Sequence, residues 1–148
     1  IDIINRRSQN LNEIRDNSCV NWKTHNGNTA LHHAARGGNL EIMKALCRHP
    51  YINYNIKNSE GLCPLMIAAS LGHFECVEFL SGIQSFQLDD LKRDALIHAA
   101  INGQTRIVAF LLQLNRANHD TQDEYLNSAM HYACAYGWLP IVKLLTEV

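Results

Sequence analysis

The stretch TALHHAARGGNLEIMKAL, Thr29 to Leu46, decides how the chain is read. Thr29 carries a side-chain oxygen that can cap the first free amides of a helix. Leu31, Ala34 and Ala35 then fall at i, i+3 and i+4 and form one apolar stripe. Gly38 follows as a residue tolerant of positive φ, which predicts a helix end there. A second helix is expected after it, with Leu40, Ile42, Met43 and Leu46 as its apolar positions. Two adjacent histidines, His32 and His33, stand inside the first helix and raise the question of a metal or a proton relay.

The same pattern returns three more times: CPLMIAASLGHFECVEFL from Cys63, DALIHAAINGQTRIVAFL from Asp94 and SAMHYACAYGWLPIVKLL from Ser128. The equivalent apolar residues are Leu31, Leu65, Leu96 and Met130, at spacings of 34, 31 and 34. A period of that size, kept over four copies, marks a repeat architecture. The chemistry agrees from copy to copy. Asp94 and Ser128 are further capping residues, and Pro64 sits in the first helical turn, where its missing N–H costs nothing. Alanine pairs let neighbouring helices approach closely. Gly72, Gly103 and Gly137 repeat the stop signal of Gly38. Polar segments such as NIKNSEG and WKTHNG between copies have turn composition.

The hexamers TALHHA, CPLMIA, DALIHA and SAMHYA resemble the T-P-L-H-x-A signature of the ankyrin repeat. The resemblance covers about residues 20 to 148. It implies an all-α solenoid of stacked helix-turn-helix units joined by short hairpin-like fingers, with units near 20–53, 54–84, 85–116 and 117–148. Residues 1–19, with Ile4, Leu11 and Ile14 at helical spacing, read as a degenerate capping repeat or a linker helix. The copies also depart from the signature. Only the second has the proline, and the third finger, LDDLKRD, lacks the glycine present at Gly27 and Gly61. The fourth has Leu126 where that glycine belongs.

Bulk properties narrow the function classes. Lysine and arginine (13) nearly balance aspartate and glutamate (14), and no basic stripe appears, so nucleic acid is not the expected partner. No apolar run reaches the roughly 18 residues of a membrane span. The five cysteines form no CxxC, which points to free thiols and an intracellular setting, cytoplasm or nucleus. The first residue is isoleucine and the last lies within an apolar helical pattern, so a fragment of a longer protein is expected.

The histidines read as structural. His32 occupies the histidine of the signature, whose family role is to tie repeats by hydrogen bonding near the capping residue, and His131 repeats it. His33 is matched by Ile67, His98 and Tyr132, and a position that accepts isoleucine is not a ligand position. HYAC, His131 to Cys134, has the look of a metal half-site, but Cys134 replaces the second alanine of the pair and is expected to be buried. Trp138 reads as a packing residue opening the last helix. No phosphate loop, nucleophile elbow or zinc-protease motif occurs. No catalytic, metal or cofactor residues are assigned, and no enzyme is expected.

The family resemblance places partner contacts on the finger tips and on the exposed positions of each first helix. Carried over, these are His25, Asn26, Asn28 and Arg36, then Ser59, Glu60, Leu62, Ser70 and Leu71, then Arg93, Ile101 and Asn102, and finally Glu124, Tyr125, Asn127 and Tyr136. Trp22, in the loop before the first full unit, is a further candidate, since an exposed tryptophan there would anchor a partner. Arg36, Leu71, Ile101 and Tyr136 suggest a row suited to a peptide or protein ridge. The expected function is a protein-interaction module, a scaffold or adaptor and monomeric as a fragment, that binds a partner protein or peptide on its concave face. The alternatives are docking against another domain of the parent protein, or a methyl-lysine reader built on Tyr125, Tyr136 and Glu124.

Overall fold

The computed structural model describes residues 19–83, 93–114 and 119–148. The cap expected over residues 1–19 therefore lies, apart from Cys19, outside the described residues, and so does the third finger apart from Arg93. The described chain is all-α. After a 3-10 turn at Cys19–Asn21 come four helix pairs: α1 (Ala30–Gly37) with α2 (Leu40–Cys47), α3 (Pro64–Leu71) with α4 (Phe74–Ile83), α5 (Ala95–Ile101) with α6 (Thr105–Gln113), and α7 (Ala129–Tyr136) with α8 (Leu139–Thr146). Each first helix packs on the next first helix, α1 on α3 on α5 on α7, and each second helix on the next second helix. The result is two parallel layers, inner and outer, of the solenoid that the repeat period implies.

The core is the seam between units. Leu31, Leu65 and Leu96 are buried, and so are Ala34, Ala68, Ala99 and Ala133. Gly38, Gly72, Gly103 and Gly137 all take positive φ and turn the chain from inner to outer helix. Asp94 Oδ1 accepts the amide of Ile97 at 2.9 Å, the capping bond its residue type predicts. Burial pushes the Asp94 carboxyl above its ordinary range, against the lowering pull of that bond.

Two burial expectations are corrected. Ile42 is exposed, whereas its equivalents Cys76, Ile107 and Ile141 are buried. This position points towards the preceding unit, and no described helix lies there. Cys134 is exposed, although its equivalents Ala35, Ala69 and Ala100 are fully buried. Those alanines face the following inner helix, and no described helix packs over α7 on that side.

Candidate functional site

Each described finger is a turn held by one residue. Asn58 in the second and Asp123 in the fourth accept two or more backbone amides on a side-chain oxygen: Asn58 Oδ1 those of Glu60 and Leu62, Asp123 Oδ1 those of Tyr125 and Asn127. Thr24 plays this part in the first finger, accepting the amide of Asn28. The turn needs a left-handed residue three positions on, supplied by Gly27, Gly61 and, in the fourth finger, Leu126 at φ 64°. Neighbouring fingers are tied directly. The Ser59 amide and hydroxyl both donate to the Asn26 carbonyl, at 3.1 and 2.8 Å, and Asn58 Nδ2 donates to Asn28 Oδ1 at 2.9 Å.

The histidine question is answered by His32. Its Nδ1 accepts from both the amide (3.1 Å) and the hydroxyl (2.8 Å) of Thr29, so Nδ1 carries no proton. Nε2 therefore carries it and donates to the Leu62 carbonyl of the next unit at 3.0 Å. Burial lowers the His32 pKa, opposed by that carbonyl bond. The ring joins two units in its neutral form. His131 makes the same Nδ1 contacts with Ser128, but its ring is exposed. His33 is also exposed, and His98 is buried. Among the described residues no three His, Cys, Asp or Glu side chains converge as a metal site would require.

A second tie repeats along the stack. His73 Nε2 donates to the Arg36 carbonyl (3.0 Å), Gln104 Nε2 to the Ser70 carbonyl (3.2 Å) and Trp138 Nε1 to the Ile101 carbonyl (3.3 Å). Each of these residues follows a turn glycine and lies over the turn glycine of the preceding unit. Trp138 is thus a packing residue, as its position suggests.

These internal ties sort the expected contact residues. Asn28, Ser59 and Asn26 join fingers. The carbonyl of Leu62 holds His32, Ser70 accepts from Asn102 Nδ2 as well as from Gln104, and Asn127 closes its own turn. Ile101 is half-buried against the core, and Arg93 is half-buried. The proposed row Arg36, Leu71, Ile101, Tyr136 also mixes two registers. Arg36 and Ile101 stand two residues before the turn glycine, Leu71 and Tyr136 one residue before it. The register that is exposed in every unit is Gly37, Leu71, Asn102, Tyr136.

Of the side chains that remain at the surface, His25, Arg36, Glu60 and Glu124 are polar, and five are apolar or aromatic: Trp22 (65% exposed), Leu71 (45%), Tyr125 (67%), Leu126 (68%) and Tyr136 (57%). Three of these five belong to the fourth unit. There the Tyr132 hydroxyl donates to Asp123 Oδ2 at 2.5 Å, which sets this stripe of α7 against the finger. The Tyr132 and Tyr136 rings lie nearly parallel, their centres 6.5 Å apart. Burial alone would raise the Asp123 carboxyl, but the bonds from Tyr132, Asn127 and Tyr125 outweigh it and hold the group below its usual range. A hydrogen bond with Glu124 raises the Tyr125 phenol. Sequence reasoning missed Leu126 and Tyr132; the displaced glycine was the available signal for the first. On the outer-helix side, Lys44, Cys47, Arg48, Tyr54, Phe79 and Ile83 line a cavity of about 310 Å³.

Comparison with known proteins agrees with the architecture. A family model for ankyrin repeats (3 copies) matches residues 5–87 and 81–148. The chain is 40% identical over 139 residues to the poly [ADP-ribose] polymerase tankyrase of Caenorhabditis elegans, which covers 90% of this chain and 6% of that protein. It is 32% identical over 148 residues to mouse synphilin-1, covering 95% and 15%. With the mouse B-cell lymphoma 3 protein homolog it shares 33% over 128 residues, covering 82% and 28%. The chain thus spans less than a third of each of these relatives. With two helical layers, turn glycines in register and histidine ties between units, the chain belongs to the ankyrin repeat family.

Proposed function

We propose that this array is a docking module that holds a segment of another protein along the side bearing its fingers and inner helices. Ankyrin repeats are in general protein–protein interaction modules. The observation that carries the reading here is the set Leu71, Tyr125, Leu126 and Tyr136. These residues stay exposed, while Asn26, Asn28, Ser59 and Ser70 nearby are engaged in holding the stack. Exposed aromatic side chains on a rigid frame are the usual anchors of binding hot spots. The relatives named above are several-fold longer than the chain, so its role in a parent protein would be recruitment, in a cytoplasmic or nuclear setting. A partner on the same polypeptide would use the same face.

The test is capture from cell lysate by the array and by a Leu71→Ala/Tyr136→Ala variant side by side. Both positions are exposed, so the melting temperature should be preserved. Proteins retained by the first and lost by the second support the reading. Identical retention by both overturns it.

A further inference from the structure

Charge is unevenly distributed along the finger side. From Cys19 to Leu40 the chain has no aspartate or glutamate, and Lys23, His25 and Arg36 are all exposed there. From His119 to Val142 it has no lysine or arginine, and Asp123 and Glu124 stand in the finger. Arg93, half-buried, acts electrostatically on Asp123 and Tyr125 and offsets part of this charge, while Glu124 stays exposed. The second unit lies between in character, with Lys57 half-buried and Glu60 exposed, and the middle of the exposed register is Leu71 and the uncharged Asn102. Among the described residues, one end of the face is therefore cationic, the middle uncharged at Leu71 and Asn102, and the other end acidic and aromatic.

Resting on the docking reading above, we infer that the bound segment is an extended peptide of opposite polarity. It carries a carboxylate side chain over the first unit, an apolar middle over Leu71, and an arginine or lysine over the fourth unit. Stacked helices lie about 8–10 Å apart, so three steps from first to fourth unit span roughly 25–30 Å. An extended chain rises about 3.3 Å per residue, which makes the segment about eight or nine residues long. At the acidic end Glu124 supplies the charge, and the Tyr125 and Tyr136 rings offer faces for a cation. Charge pairs at a rim mainly select and orient a partner, so the aromatic contact gives affinity and the dipole gives direction.

The experiment is selection of a random twelve-residue display library on the array, followed by titration of the enriched peptides as synthetic, labelled probes. Enriched peptides should carry an acidic and a basic residue separated by about six to eight positions, with apolar residues between. An Arg36→Glu/Glu124→Lys variant, altered only at exposed side chains and checked for an unchanged melting curve, should bind them at least tenfold more weakly. Enriched peptides without charge polarity, or indifferent to the reversal, overturn the inference while leaving the docking face intact. Failure to enrich any peptide also overturns it. The docking reading is then judged separately by the Leu71/Tyr136 capture.

Discussion

The imidazole of His73 lies over Gly38: a Cβ on Gly38 would stand 2.5 Å from His73 Nδ1, while Nε2 is 3.0 Å from the Arg36 carbonyl. Gly38 also has φ +65°, where an L side chain is strained. Gly37, one residue earlier, closes α1 with open space around its Cα. The two glycines should thus respond in opposite directions. Gly38→Ala should lose about 1–2 kcal/mol from backbone strain alone, and more if His73 is displaced. Gly37→Ala should gain up to about 1 kcal/mol, because alanine is the better helix former. Urea unfolding midpoints of the two variants check this directly.

Leu126 holds the same left-handed turn position as Gly27 and Gly61. Its side chain is 68% exposed, so it recovers little by burial. Leu126→Gly should raise stability by up to about 1 kcal/mol, the relief of left-handed strain less the added freedom of glycine in the unfolded chain. If the fourth finger is a contact surface, the same change should weaken partner capture while raising the melting temperature. A variant less stable than the parent would count against strain at this turn.

His32 makes stability depend on pH. Burial, only partly opposed by the Leu62 carbonyl bond, lowers its pKa in the folded state. As pH falls through the ordinary value of 6.5, the unfolded chain takes up the proton first. The unfolded state then binds more protons, and stability declines until the lowered folded pKa is passed. Above 6.5 the contribution is complete. Protonation would also set a new N–H at Nδ1 against the Thr29 amide donor. His32→Gln should cost about 1–3 kcal/mol at pH 8, from the lost bonds to Thr29 and Leu62. The gap between variant and parent should narrow at pH 5.5. The chain has eight histidines, so only this difference between the two proteins isolates His32.

The fold was legible because each unit repeats its own instructions. Thr29, the alanine pair and Gly38 are local signals, and four copies in register leave little freedom for another architecture. Burial at the two ends was not legible. Cys134 reads as an alanine equivalent, and only the absence of a described helix over α7 shows that its position is uncovered. The candidate surface was partly legible. Tyr125, Tyr136 and Leu71 are exposed as expected, but the pattern could not show that Ser59, Asn28 and Ser70 bind neighbouring units. Those bonds join residues about 30 or more positions apart, and such pairings depend on how the fingers stack.

Ser81 lies inside α4 with 2% of its surface exposed, and its hydroxyl has no hydrogen-bond partner among the described residues. An unmet hydroxyl keeps the desolvation cost without the compensating bond. Ser81→Ala should therefore be stabilising, by about 1 kcal/mol, where most buried truncations destabilise. Thermal unfolding of the variant measures it. A loss of stability would show that the hydroxyl is not an unmet buried group.

Trp138 is the last of the repeating ties between units. Its Nε1 bonds the Ile101 carbonyl at 3.3 Å, and its ring covers Gly103. The equivalent bonds come from an imidazole at His73 and an amide at Gln104, so the position asks for a planar side chain with an N–H donor. Trp138→Ala removes both the donor and the ring and should cost about 2–3 kcal/mol, less than a fully buried tryptophan because this one is 38% exposed. Trp138→His or Trp138→Gln restores the donor and should recover about 1 kcal/mol of that loss, while Trp138→Phe keeps ring area without the donor. The order of unfolding midpoints expected is Trp, then His or Gln, then Ala, with Phe separating ring from bond. If Phe matches Trp and both His and Gln match Ala, the bond contributes nothing and the ring alone accounts for what Trp138 adds to stability.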